Sequence, residues 1–184
     1  AQACGLTLLP KKDQNPAKTS TFGVGELIGL ALDAGFRRMI IGLGGSSTND
    51  GGAGLASALG VSFLNRNGVD IDHGGEALIN LALIDQIGLD PRIKDCVFIA
   101  AADVTNLLCG PNGATASFGP QKGASPTDIL KLESALSRFA DVIEHDVGIN
   151  VKTIPGGGAA GGMAAGLVSF LGARIEWGAD IVCD

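Results

Sequence analysis

Two carboxylates, one lysine and two glycine-rich runs hold the chemistry legible in this chain. Asp50 closes the polar part of Gly44-Gly45-Ser46-Ser47-Thr48-Asn49-Asp50-Gly51-Gly52. The run sets hydroxyls, an amide and a carboxylate between glycines, whose missing Cβ atoms let a ligand approach the backbone. Asp50 could accept a proton from a substrate held by the residues before it, the work of a general base. Asp103, with Asn106 close behind, offers oxygen ligands that suit a hard cation such as magnesium. Lys122 lies in Gly119-Pro120-Gln121-Lys122-Gly123, and with Gln121 it could hold a phosphate or a carboxylate. It is not a P-loop lysine, because Gly123 stands where that motif needs Ser or Thr. Gly156, Gly157 and Gly158 belong to a second glycine loop, Pro155 to Gly162. That loop suits an anion or, equally, the close packing of a helix. Which of Asp50 and Asp103 is base and which binds metal stays open.

These groups need elements to aim them. Arg38 to Leu43 reads as a short buried strand, apolar and β-branched at its centre, and a helix pattern follows from Ala53 to Leu59. Strand, glycine loop and helix in that order present several N–H groups to an anion. A bare turn would also use the glycines, but it rarely carries so many polar groups in a row. Cys96 to Ala102 reads as a second buried strand that ends at Asp103. Open α/β sheets place ligand-binding groups at the carboxyl ends of their strands. Asp103 could instead cap the next turn.

Gly25 to Ala34 has a helical apolar pattern, with Ser20 or Thr21 as its cap. Ser125-Pro126-Thr127-Asp128 opens another helix, with an apolar stripe through Ile129, Leu132, Leu136, Phe139, Ile143 and Val147. A third runs from Met163 to Leu171, and Arg174 to Trp177 and Ile181-Val182 read as terminal extended pieces. His73 reads as a turn residue and His145 as part of a solvated face. The fold class is α/β, a mixed sheet covered by helices, in a single domain over residues 1–184.

The totals narrow the function. A chain of 184 residues with 46% hydrophobic content can bury a core. Its net charge of −6 argues against nucleic acid, whose phosphates want a basic face. Phosphate binding then rests on backbone N–H groups, a lysine and a divalent cation. No apolar run nears the roughly 20 residues that span a bilayer, so no membrane partner is expected. No basic stretch followed by an apolar one opens the chain, so no secretory signal is expected. It begins at Ala1 without a methionine, as a processed or internal piece would. Cys4, Cys96, Cys109 and Cys183 are scattered and make no zinc pattern with the histidines, which points to free thiols in a reducing cytoplasm.

Gly44-Gly45-Ser46-Ser47-Thr48-Asn49-Asp50-Gly51-Gly52-Ala53-Gly54 closely resembles the signature of the bacterial-type glycerate kinases. Four further stretches resemble the same family, in the same order. They are Thr21 to Ile28, Ala102 to Asn106, Phe118 to Ala124 and Pro155 to Met163. The resemblance covers essentially the whole chain. It implies ATP, Mg2+ and D-glycerate as partners, a phosphoglycerate product (the 2-phosphate by expectation), and leaves a homo-oligomer open. The family's members are considerably longer. This region is therefore expected to be a central piece, one domain of a two-domain α/β kinase. Two other readings compete. Gly42 to Ser47 comes within one residue of a dinucleotide fingerprint, with Asp70 and Asp72 downstream, which would suit an oxidoreductase. A non-catalytic structural domain is the other.

Overall fold

The computed structural model describes residues 3–183. Helix α1 (Phe22–Asp33) leads into strand β1 (Arg38–Leu43). The glycine loop and the short helix α2 (Ala53–Ala58) follow. Strands β2 (Ser62–Leu64) and β3 (Leu83–Asp85) pair antiparallel. Then come β4 (Val97–Ala102), the short α3 (Ala114–Phe118), α4 (Pro126–Asp146), α5 (Ala159–Leu171), β5 (Arg174–Glu176) and α6 (Gly178–Cys183).

The expected α/β class holds, with one refinement. Parallel and antiparallel pairings lie in two separate sheets. One is wholly parallel, in the order β1-β4-β5, and the other is the β2-β3 pair. β1 and β4 align in register from Arg38↔Val97 to Leu43↔Ala102. Both strands therefore end at the same level. The glycine loop after Leu43 and Asp103 after Ala102 leave the sheet side by side.

Two expectations about elements are corrected. β1 is an edge strand, and Ile40 at its centre is 56% exposed. Its apolar composition matched a buried strand, but only Met39, Ile41 and Leu43 pack partly against the core. Ile181 and Val182 lie in α6, not in an extended piece. The reason is at the helix start, where Asp103 Oδ1 accepts from the Ala179 N–H at 3.3 Å. A carboxylate there satisfies an otherwise orphan donor.

The core forms where α4 and α5 meet the β2-β3 pair. Leu132, Leu136, Phe139 and Ile143 of α4 are buried, which is the inner stripe expected from their spacing. The rings of Phe63, Phe139 and Phe170 cluster, with the Phe63–Phe170 centroids 5.5 Å apart and edge-to-face. α4 starts in a capping box. Ser125 Oγ accepts from the Asp128 N–H, and Asp128 Oδ2 accepts from the Ser125 N–H. At its far end Asp146 Oδ2 accepts from the Ile84 N–H at 2.8 Å, tying α4 to β3.

Candidate active site

The loop from Gly44 to Gly52 is largely buried after Gly45, and it spends most of its polar groups on itself. Asp50 is 1% exposed. Its Oδ2 accepts from the Thr21 N–H at 2.7 Å, the Thr21 hydroxyl at 2.9 Å and the Gly54 N–H at 3.3 Å. Its Oδ1 accepts from the Gly52 N–H at 3.2 Å. Asp50 is thus the anion at the start of α2, and it locks that helix to the start of α1. Thr21 does not cap α1 with its side chain. Its hydroxyl instead links Asp50 to the Leu55 N–H. The expectation that Asp50 is free to take a substrate proton does not fit this geometry. A carboxylate saturated by fixed donors is a brace.

The neighbouring side chains behave likewise. Ser47 Oγ donates to the Cys4 carbonyl at 3.0 Å, and Asn49 Nδ2 donates to Thr115 Oγ1 at 3.0 Å. Thr48 offers its carbonyl to Lys122. Cys4, Thr21 and Thr115 complete this network and had no signal in the spacing of polar residues. They converge only through the tertiary fold.

The self-sufficiency is incomplete: among the described residues Thr48 Oγ1 and Asn49 Oδ1 are buried without a hydrogen-bond partner, and Lys122 has a donor to spare. Lys122 is 2% exposed, with Nζ donating to Ser46 Oγ at 3.1 Å and to the Thr48 carbonyl at 2.7 Å. An ammonium has three N–H donors, so one remains. Burial pushes the Lys122 pKa from its ordinary 10.5 down to about 8, against the opposing pull of Asp50 and Cys4. The residue fronts a cavity of about 190 Å³. Its walls are Leu43, Gly44, Gly45, Ser46, Val104, Phe118, Gln121 and Ala160. Of the residues singled out in the sequence, Gly44, Gly45, Ser46, Gln121 and Lys122 therefore meet at one place. Phe118, Val104 and Ala160 join them. Ala160 is left-handed, with φ 54°, a conformation that strains a residue with a Cβ.

The second glycine loop lies elsewhere. Gly156, Gly157 and Gly158 are buried and none lines the Lys122 cavity. The Gly158 N–H donates to the Asn106 carbonyl, and a Cβ on Gly158 would overlap the Leu107 carbonyl. Further on, the Gly51 N–H donates to the Gly161 carbonyl at 3.1 Å, so the two glycine loops are clasped together. Packing accounts for these glycines, and the anion-binding expectation for Gly156 to Gly158 gains nothing from the structure.

Asp103 is exposed at the end of β4, with one hydrogen bond from α6. Asn106 Nδ2 donates to the Asn112 carbonyl at 2.8 Å and to Ser117 Oγ at 3.1 Å. Among the described residues no three His, Cys, Asp or Glu side chains converge as a metal site would require.

With this geometry in view, comparison with known proteins places the chain. Its sequence matches the Glycerate kinase family over residues 1–184. The chain belongs to that family. It is 52% identical to the glycerate 2-kinase of Escherichia coli (strain K12) over 182 residues, 99% of this chain and 48% of that protein. It is 50% identical to the glycerate kinase of Bacillus subtilis (strain 168), of which it also covers 48%. A crystal structure titled as a glycerate kinase 2 from Salmonella typhimurium LT2 superposes with a TM-score of 0.96 at 50% identity, over 99% of this chain and 49% of that one. The chain spans about half the length of the curated relatives it matches. Among the described residues, no helix is long and apolar enough to cross a membrane.

Proposed function

We propose that the full-length polypeptide carrying this chain transfers the γ-phosphoryl group of ATP to D-glycerate, yielding 2-phosphoglycerate. The observation that carries the reading is the buried Lys122 ammonium. Lys122, with one ammonium donor unused, lines a small cavity together with Gly44, Gly45 and Ser46, and that cavity is sized for one anionic group. A carboxylate or a phosphate there would gain a charge-assisted hydrogen bond from the buried Lys122 ammonium. Membership of the glycerate kinase family supports a hydroxy acid as acceptor. The name of the Escherichia coli relative supports the 2-position.

In this reaction the glycerate hydroxyl oxygen bonds to the γ-phosphorus as the bond to the ADP oxygen breaks, and the hydroxyl proton passes to water. Positioning and neutralisation of charge do most of the work in such transfers. Lys122 supplies fixed positive charge, Ser46 and the Thr48 carbonyl orient it, and Asp50 holds the loop that carries both. A magnesium ion, if it arrives on the triphosphate, needs only one or two protein oxygens. The exposed Asp103 carboxylate fits that modest demand, and such an ion would supply charge neutralisation on the phosphates. The dinucleotide reading has no comparable support. Asp70 and Asp72 line a separate hollow of about 310 Å³ with His73, away from Gly44–Ser46.

The test is an assay of the full-length polypeptide with ATP and D-glycerate, with the product read by phosphorus NMR. ADP formation together with 2-phosphoglycerate is the expected result. No glycerate-dependent ADP formation would overturn the proposal, and 3-phosphoglycerate would overturn its regiochemistry.

A further inference from the structure

The parallel sheet ends on β1, and that edge is not finished as an edge. Val97 N–H donates to the Arg37 carbonyl, and the register then alternates along the ladder. Residues Met39 and Ile41 turn their backbone groups toward β4. Arg38, Ile40 and Gly42 turn theirs outward, and among the described residues nothing pairs with them. Sheet edges that stay free are normally guarded by charges, bulges or brevity. The opposite edge follows that rule, since the three-residue β5 carries Arg174 and Glu176. β1 runs for six residues and, past Arg38, is apolar.

The surface beside this edge is apolar as well. A groove of about 520 Å³ runs between α1 and β1. Leu27, Phe36 and Ile40 line it and are 52%, 62% and 56% exposed. Gly44, Ser46 and Ala160 wall both this groove and the Lys122 cavity, so the groove runs up to the site. Exposed apolar surface of this kind marks a place of contact.

We propose that β1 is a seam at which the sheet continues. Its occupant is a parallel, apolar β-strand from the half of the longer polypeptide that lies outside these residues, with its crossover segment covering Leu27 and Phe36. Three observations choose this occupant. The chain covers only 48% of the Escherichia coli relative, so as much polypeptide again is there to supply it. The existing sheet is wholly parallel, and parallel strands come with long crossovers from the same polypeptide. Parallel sheets are covered on both faces and usually have more than three strands, roughly 4–6. The incoming strand would end beside Gly44 and so bring a second wall to the Lys122 cavity.

Hydrogen–deuterium exchange of the β1 amides tests this. It is read in the 184-residue chain at two concentrations and in the full-length polypeptide. In the short chain the Arg38, Ile40 and Gly42 amides should exchange fast while Met39 and Ile41 are protected. In the full-length polypeptide the first three should slow on the order of 100-fold, as amides gaining a stable partner do. Equal, fast exchange in both would overturn the seam. Protection that appears in the short chain and grows with its concentration would assign the edge to a second copy, and would also overturn the proposal.

Discussion

At the scale of single residues, Asp50 and Lys122 exchange the weights that their types suggest. Asp50 is the brace of the loop, with donors from Thr21, Gly52 and Gly54 on its carboxylate. Asp50→Asn replaces an acceptor with a donor facing donors. It should lower stability by about 3 kcal/mol, read by urea unfolding of the 184-residue chain. Unchanged stability would return Asp50 to the list of free catalytic groups. Lys122 titrates in a testable window. Its pKa falls from 10.5 unfolded to about 8 folded. Between those values the unfolded chain holds a proton that the native one has lost, so stability should rise with pH across the window. The difference between wild type and Lys122→Met should therefore change from about pH 8 to 10, in favour of wild type. A flat difference would show that burial does not strain this ammonium. Binding of an anion at Lys122 should weaken over the same range, as the charge is lost.

At the scale of elements, two local features carry measurable free energy. The capping box of α4 should make Ser125→Ala cost about 1 kcal/mol, because the Asp128 N–H loses its side-chain acceptor while the Ser125 N–H still donates to Asp128. Among the described residues Ala160 is the non-glycine residue with positive φ, and it stands where the clasp between the glycine loops turns into α5. Ala160→Gly should relieve about 1 kcal/mol of strain, seen as a higher melting temperature. A lower melting temperature would mean that the Cβ of Ala160 packs more than it strains. Helix and strand positions were readable because their periods are local. The start of α5 was not, since three successive left-handed residues, Ala160 to Gly162, are imposed by the loop they grip.

At the scale of the molecule, the chain has its own core around α4 and α5, yet its sheet edge and its cavity both open onto unfilled surface. The 184-residue chain should fold cooperatively and show no measurable glycerate-dependent turnover of ATP. Well-oriented reactants can be worth about 7–11 kcal/mol of barrier, and orientation needs walls on both sides of them. A circular dichroism melt beside a coupled ADP assay checks both halves of this expectation. Turnover near that of the full-length polypeptide would show that these residues complete the site alone.

Read from the chain alone are the α/β class, the bounds of β1, those of β4 to within one residue, the α4 stripe and cap, and the family, carried by runs such as Gly44 to Gly54. Each depends on neighbours in the chain or on a contiguous motif. Only the tertiary fold separates a carboxylate tied to its own chain from an ammonium with a donor left over. Asp50 and Lys122 are both charged residues beside glycines, and nothing local separates them. Thr21, brought 29 positions across the fold, saturates Asp50. Ser46 and Thr48, brought to Lys122 from the first loop, bury it and leave one donor over. The same distinction holds for Ile40, whose apolar neighbours promised burial. Burial depends on what covers the strand, and among the described residues β1 has a strand on one side only, leaving Ile40 56% exposed.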